Sequence, residues 1–166
     1  MLESYNMNES REKLSGRELL QDLEATHEYV FHGSDEVDLD YLEPRQAYNY
    51  SNGEKKPDGD PAVFASSKAD YAIMMALINK NNCPKGFRSS ASSKQKENGE
   101  IFLRLRATKS SVDQLNSASF GYVYVFDKNL FRNRGGGVEY VSSVGVSPIK
   151  KVKVTKTDLP PCIEFF

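Results

Sequence analysis

The sequence YVFHGS occupies residues 29–34 and has the composition of a β-strand that ends on polar residues. Aromatic and β-branched side chains favour strands, whereas glycine and serine commonly follow them. His32, one of two histidines in the chain, stands where the apolar run stops. A histidine at a strand end is most often an ordinary hydrogen-bonded residue, and otherwise it faces a binding pocket. The choice depends on which other residues the fold brings near it.

The composition is that of a globular protein. The chain has 166 residues, 39% hydrophobic and 27% charged, which suits one domain with a buried core. Its net charge of −1 lacks the basic excess of a dedicated nucleic-acid-binding protein. Cys83 and Cys162 are far apart and the histidines are few, so we expect neither a disulfide framework nor a metal site. The glycine-rich RNRGGG (residues 132–137) is not a P-loop, because no Gly-Lys-Ser/Thr follows it.

No apolar run has the length of a membrane span, and the polar N-terminal residues lack the apolar core of a signal peptide. We therefore expect an intracellular, cytoplasmic protein that does not contact a membrane.

Hydrophobic periodicity predicts an α+β domain. Residues 9–25 predict an amphipathic helix, and residues 67–80 predict a second helix with Ser66 or Ser67 as its N-cap. Strands are predicted at residues 28–32, 61–66, 100–108, 120–127, 138–146 and 149–155. This order predicts a largely antiparallel sheet or two packed sheets. We treat residues 1–166 as a single domain, with an N-terminal helical extension (1–26) and a core (28–155).

Two polar segments predict irregular structure. Residues 33–61 are punctuated by Pro, Gly, Asn and Asp and predict a long loop that carries Arg45. Residues 81–100 are rich in Ser, Lys and Asn and predict an exposed, mobile excursion.

Three residues on separated segments suggest a family. His32 lies in FHGS (31–34), Tyr71 in VFASSKADY (63–71) and Glu139 in VEYVSS (138–143). This order resembles the His-Tyr-Glu branch of the ADP-ribosyltransferase superfamily, which includes the poly(ADP-ribose) polymerases and diphtheria toxin. The resemblance spans roughly residues 28–155. It implies split antiparallel β-sheets with flanking helices, a cleft between the sheets, and NAD as the substrate without a metal.

The resemblance also implies a role for each residue. Glu139 would be the catalytic carboxylate that stabilises an oxocarbenium-like centre on the ribose. Tyr71 would stack on the nicotinamide ring. His32 would bind a ribose hydroxyl, and Gly33 would let the backbone approach the carboxamide. The other predicted NAD contacts are Ser34, Arg45, Ser66, Ser67 and Lys68, with Arg45 or Lys68 pairing with the pyrophosphate.

Two alternatives stay open. The first is a catalytically inactive module that binds NAD, ADP-ribose or a nucleotide end. The second is an RNA 2′-phosphotransferase, a relative with a similar His-Gly-Thr strand that needs several phosphate-binding arginines. The arginines available for that role are Arg45, Arg88, Arg104 and Arg106. The acceptor of ADP-ribose is not identified by the sequence, although the glutamate that arginine-modifying transferases carry two residues before the catalytic one is Gly137 here.

Overall fold

A computed structural model describes residues 14–166 of the protein. Part of the predicted N-terminal helix, residues 9–13, lies outside the described residues. The helix begins at Gly16 because Ser15 and Glu18 form a capping box, in which each side chain accepts a hydrogen bond from the other residue's backbone N–H. Gly16 is thus the first residue of the helix.

The helices and strands of residues 14–166 are as follows. The helices are α1 (Gly16–Ala25), α2 (Ala69–Leu77) and α3 (Lys109–Gln114). The strands are β1 (Tyr29–Ser34), β2 (Tyr48–Ser51), β3 (Glu54–Pro57), β4 (Val63–Ser66), β5 (Ser89–Gln95), β6 (Ile101–Ala107), β7 (Phe120–Asp127), β8 (Arg132–Asn133), β9 (Glu139–Ser142), β10 (Lys150–Thr155) and β11 (Glu164–Phe165). Within this part of the chain, no helix has the length and apolar character needed to cross a membrane.

The strands form three sheets. A six-stranded antiparallel sheet has the order β10-β7-β1-β4-β9-β8, and a three-stranded sheet has the order β11-β6-β5. Strands β2 and β3 form a separate hairpin. The predicted α+β class with antiparallel sheets is confirmed. β1 pairs with β7 along its whole length but pairs with β4 only at Phe31 and Ser66, so the sheet opens between β1 and β4.

Helix α2 packs on one face of the six-stranded sheet and forms the main core with it. Phe31 and Val123 belong to this core, whereas their strand neighbours Val30 and Tyr124 belong to a second core on the other face. A Cβ added at Gly33 would lie 2.0 Å from the Ala72 carbonyl oxygen of α2. Glycine is therefore required here because β1 lies against the backbone of α2. This packing explains Gly33 without a bound ligand.

Both polar segments contain strands, so the prediction of irregular structure was wrong there, whereas the predicted exposure of residues 81–100 is confirmed. Residues 33–61 contain the β2–β3 hairpin, whose turn residues Asn52 and Gly53 have φ of 51° and 78°, as a type I′ turn requires. Residues 81–100 contain β5, which pairs with β6 from Ser89 to Gln95. β5 is largely exposed and polar, so its strand conformation comes from its partner β6 and not from its own apolar residues.

Candidate functional site

The open part of the six-stranded sheet contains a cavity of about 120 Å³, here called the central cavity. It is lined by β1, β4, α2 and β9. Its lining residues include His32, Gly33, Ser66, Tyr71 and Glu139. The three residues on which the family resemblance depends therefore line one cavity.

Strand register explains why distant segments meet here. Ser66 pairs with Phe31 across β1–β4 and with Glu139 across β4–β9, so His32 and Glu139 lie near the same level of the sheet. The chain then turns from β4 into α2, and Tyr71 lies in the first turn of that helix, as predicted.

His32 is held in one tautomer. Its Nδ1 lies 2.7 Å from the Phe64 carbonyl oxygen, and because a carbonyl only accepts, Nδ1–H is the donor. Burial lowers the pKa of His32 below its ordinary value of 6.5, more than the bond to Phe64 raises it. A neutral ring that carries its proton on Nδ1 offers Nε2 as a hydrogen-bond acceptor.

Tyr71 and Glu139 form another part of the lining. Burial, with a smaller effect from the Glu139 charge, raises the pKa of Tyr71, so its phenol keeps its proton at neutral pH. The Glu139 side chain is 44% exposed, and its Oε1 lies 3.5 Å from Nη1 of Arg134. Arg134 also pairs with Asp58.

Two further cavities adjoin the central one. The large cavity, of about 510 Å³, shares His32 and Gly33 with it and is also lined by Ser34 and Arg45. Backbone hydrogen bonds in both directions between Arg45 and Ala62 hold Arg45 beside the start of β4.

The outer cavity, of about 290 Å³, lies on the side of the three-stranded sheet. It shares Tyr71 and Glu139 with the central cavity, and Arg134 and Ser93 of β5 also line it. This cavity is bounded by both sheets, as the predicted cleft would be, whereas the central cavity lies within the six-stranded sheet.

Two predicted NAD contacts, Ser67 and Lys68, do not line any of these three cavities. The Lys68 ammonium lies 3.8 Å from a Glu24 carboxylate oxygen of α1. The predicted cap, Ser66 or Ser67, was wrong, because Lys68 occupies the N-cap of α2 without a capping side chain. Glu24 instead accepts the Ala69 N–H at 2.7 Å, a tertiary contact that the local sequence does not reveal.

The arginines are divided between two places. Arg45 lines the large cavity, whereas Arg88, Arg104 and Arg106 line none of the three. Arg88 and Arg106 each lie 4.4 Å from the centre of the Phe166 ring, and Arg104 pairs with Glu164. They contact the segment that contains β11.

Sequence reasoning missed Arg134 and Asp58. Arg134 lies in RNRGGG, a segment considered only as a P-loop candidate, and Asp58 lies in the segment predicted to be a loop. The one signal in the sequence is that Arg134 precedes Glu139 across a run of three glycines, which predicts a tight turn between them.

Within residues 14–166, no group of three or more His, Cys, Asp or Glu side chains could hold a metal ion. No protein-family model, curated protein or solved structure matches the chain.

Proposed function

We propose that the protein is an NAD-dependent ADP-ribosyltransferase. It would cleave the bond between nicotinamide and ribose and transfer ADP-ribose to an acceptor. The observation that supports this proposal best is that His32, Tyr71 and Glu139 line one cavity in the order and on the kinds of element that the resemblance requires.

The reaction requires stabilisation of positive charge. As the C–N bond breaks, its electron pair leaves with nicotinamide and the ribose C1′ becomes oxocarbenium-like. The Glu139 carboxylate is suited to stabilise that charge and to accept a hydrogen bond from a ribose hydroxyl. An acceptor nucleophile then bonds to C1′ and loses its proton.

The other two residues suit the binding of the ribose and of the nicotinamide ring. Nε2 of neutral His32 would accept a hydrogen bond from a ribose hydroxyl. The protonated Tyr71 ring would stack on nicotinamide. A volume of about 120 Å³ suits a single aromatic ring, and the large cavity of about 510 Å³ is in the range of small-molecule sites.

The test is nicotinamide release by the purified full chain incubated with NAD. We expect Glu139→Gln to lower the rate roughly 100-fold, because it removes the charge that stabilises the transition state. Glu164→Gln is the matched control: Glu164 is also a half-exposed carboxylate paired with an arginine, and it lines none of the three cavities.

Equal background rates for the wild type and Glu139→Gln would refute the proposal. Calorimetric titration with NAD and ADP-ribose then separates the remaining cases. Binding without turnover supports an inactive binding module, and binding of neither excludes that reading as well.

A further inference from the structure

We infer that Arg134, held by Asp58, is a positioning residue that fixes the Glu139 carboxylate at the edge of the central cavity. Its importance for catalysis rests on the proposed function, but the contact itself can be tested without turnover.

The Arg134 guanidinium bridges two carboxylates. Nη2 pairs with Asp58 Oδ1, and Nη1 lies 3.4 Å from Asp58 Oδ2 and 3.5 Å from Glu139 Oε1. Arginine suits this arrangement because its donors project from a rigid plane in fixed directions. Since Arg134 approaches Oε1, Oε2 is the oxygen that would accept a hydrogen bond from the ribose.

The backbone joins the same two residues. The N–H of Arg134 donates to the carbonyl of Glu139 at 2.9 Å and closes the turn between β8 and β9. The Asn133 side chain donates to the Gly137 carbonyl at 2.8 Å across the same turn. The backbone positions of Arg134 and Glu139 are thereby fixed. Forming the ion pair therefore costs only the conformational entropy of the two side chains.

Asp58 connects the arginine to a different segment. Asp58 follows β3, and its N–H donates to the Ala47 carbonyl at 2.9 Å, which holds it at the base of the hairpin. The Arg134 guanidinium is the main cause that lowers the pKa of Asp58, with a smaller effect from the Asn49 side chain. Asp58 therefore stays ionised and keeps one edge of the guanidinium in place.

Arg134 also adjoins the residue that orients His32. Its guanidinium carbon lies 5.8 Å from the centre of the Phe64 ring, within the range of a cation–π contact. The carbonyl of Phe64 accepts the hydrogen bond from His32. Arg134 thus contacts Asp58, Glu139 and Phe64, which belong to three different segments.

The experiment compares Arg134→Met and Arg134→Lys with Arg17→Met. Arg17 and Asp70 form a matched control pair, with side chains 28% and 20% exposed, against 32% and 27% for Arg134 and Asp58. One readout is kcat and KM for nicotinamide release. The other is the ¹³Cδ chemical shift of Glu139, assigned from the resonance that disappears in Glu139→Gln.

We expect Arg134→Met to lower kcat roughly 10-fold and to change KM for NAD less than about 2-fold, because a misplaced carboxylate affects mainly the transition state. Arg134→Lys recovers part of the lost kcat, because lysine keeps the positive charge but lacks the planar guanidinium with its several donors. The Glu139 ¹³Cδ shift moves in Arg134→Met. Arg17→Met leaves both readouts at the wild-type values.

Each contrary result has a distinct meaning. An unchanged or higher kcat in Arg134→Met overturns the inference, as does an unchanged ¹³Cδ shift. If Arg134→Met does not fold, the same two criteria apply to Arg134→Lys with smaller changes. A wild type that releases no nicotinamide, with a Glu139 resonance that still moves in Arg134→Met, refutes the proposed function and supports the positioning contact.

Discussion

One wall of the central cavity consists of backbone packed against backbone, and another consists of charged side chains at the surface. The first, here called the glycine wall, comprises the end of β1 with Gly33 and the helix α2 behind it. The second, here called the arginine wall, comprises Glu139, which lines the cavity, and the ion-paired residues Arg134 and Asp58 behind it, which do not line it. Gly33 and Glu139 border the same cavity, but the two walls are held by different forces.

The two walls therefore differ in the property that a substitution is expected to change. At the glycine wall there is no room to relax, because protein cores are close-packed and the nearest atoms belong to a helix backbone. At the arginine wall, the ion pairs are partly exposed, and pairs that water reaches contribute little to folding. We therefore expect substitutions at the glycine wall to act on folding, and substitutions at the arginine wall to act on activity in a folded protein.

The largest effect is expected for Gly33→Ala. The new Cβ would lie 2.0 Å from the Ala72 carbonyl oxygen and 2.7 Å from the Ala76 nitrogen, so β1 and α2 would have to separate. Overpacking of this kind destabilises by about 3 kcal/mol. Urea denaturation of the variant and the wild type measures the change in the free energy of unfolding.

Gly137→Ala, in the turn between β8 and β9 that joins Arg134 to Glu139, is the matched control beside the arginine wall. Its Cβ would meet the Ser93 side-chain oxygen at 2.9 Å, and this hydroxyl is free to rotate away. We expect a loss of less than about 1 kcal/mol for such a substitution at a site that can relax. Equal losses for the two variants would show that the two walls do not differ as described.

A smaller, pH-dependent effect is expected at His32. Burial lowers its pKa in the folded state below the ordinary 6.5, so the unfolded chain takes up the proton first as the pH falls. Its contribution to stability is complete above pH 6.5 and declines below it by at most about 1.4 kcal/mol per pH unit, until the folded-state pKa is reached.

The measurement is urea denaturation at pH 7.5 and pH 5.5 of the wild type and His32→Gln, which keeps a donor for the Phe64 carbonyl. We expect the wild type to lose more stability between the two pH values than the variant does. An identical loss in both proteins would contradict the lowered pKa.

The sequence predicted the parts of the fold in which the order of apolar and polar side chains matches a strand or a helix. β1, β7 and β10 are apolar or alternating and were located within a residue or two, and the predicted helix at residues 67–80 contains α2. It did not predict β5 and β2, whose exposed residues form strands because a partner strand or an Asn-Gly turn pairs them. Polar composition was mistaken for irregular structure.

The residues of the candidate site also fall into those that the sequence predicts and those that it does not. His32, Tyr71 and Glu139 were proposed together from motif order, and they line one cavity. Arg134 and Asp58 could not be proposed, because their contact depends on the register of two hairpins that the sequence did not define. Residues that act through contacts between segments are predictable only once the topology is known.

The smallest effect is expected for Asp58→Asn. This change removes one carboxylate from the arginine wall, but the Asp58 side chain is still 27% exposed, so water and salt screen its pair with Arg134. Arg134 lowers the pKa of Asp58 below its ordinary 3.8, so any stability from the pair is present at neutral pH and declines as the pH falls below 3.8.

We expect the urea midpoints of Asp58→Asn and the wild type to agree within error at pH 7, in contrast to the large loss for Gly33→Ala. Nicotinamide release by Asp58→Asn should fall less than in Arg134→Met, because the contact between Arg134 and Glu139 survives. A midpoint lowered as far as in Gly33→Ala would mean that the arginine wall is also required for folding. The distinction between a wall that maintains the fold and a wall that orients the carboxylate would then not hold.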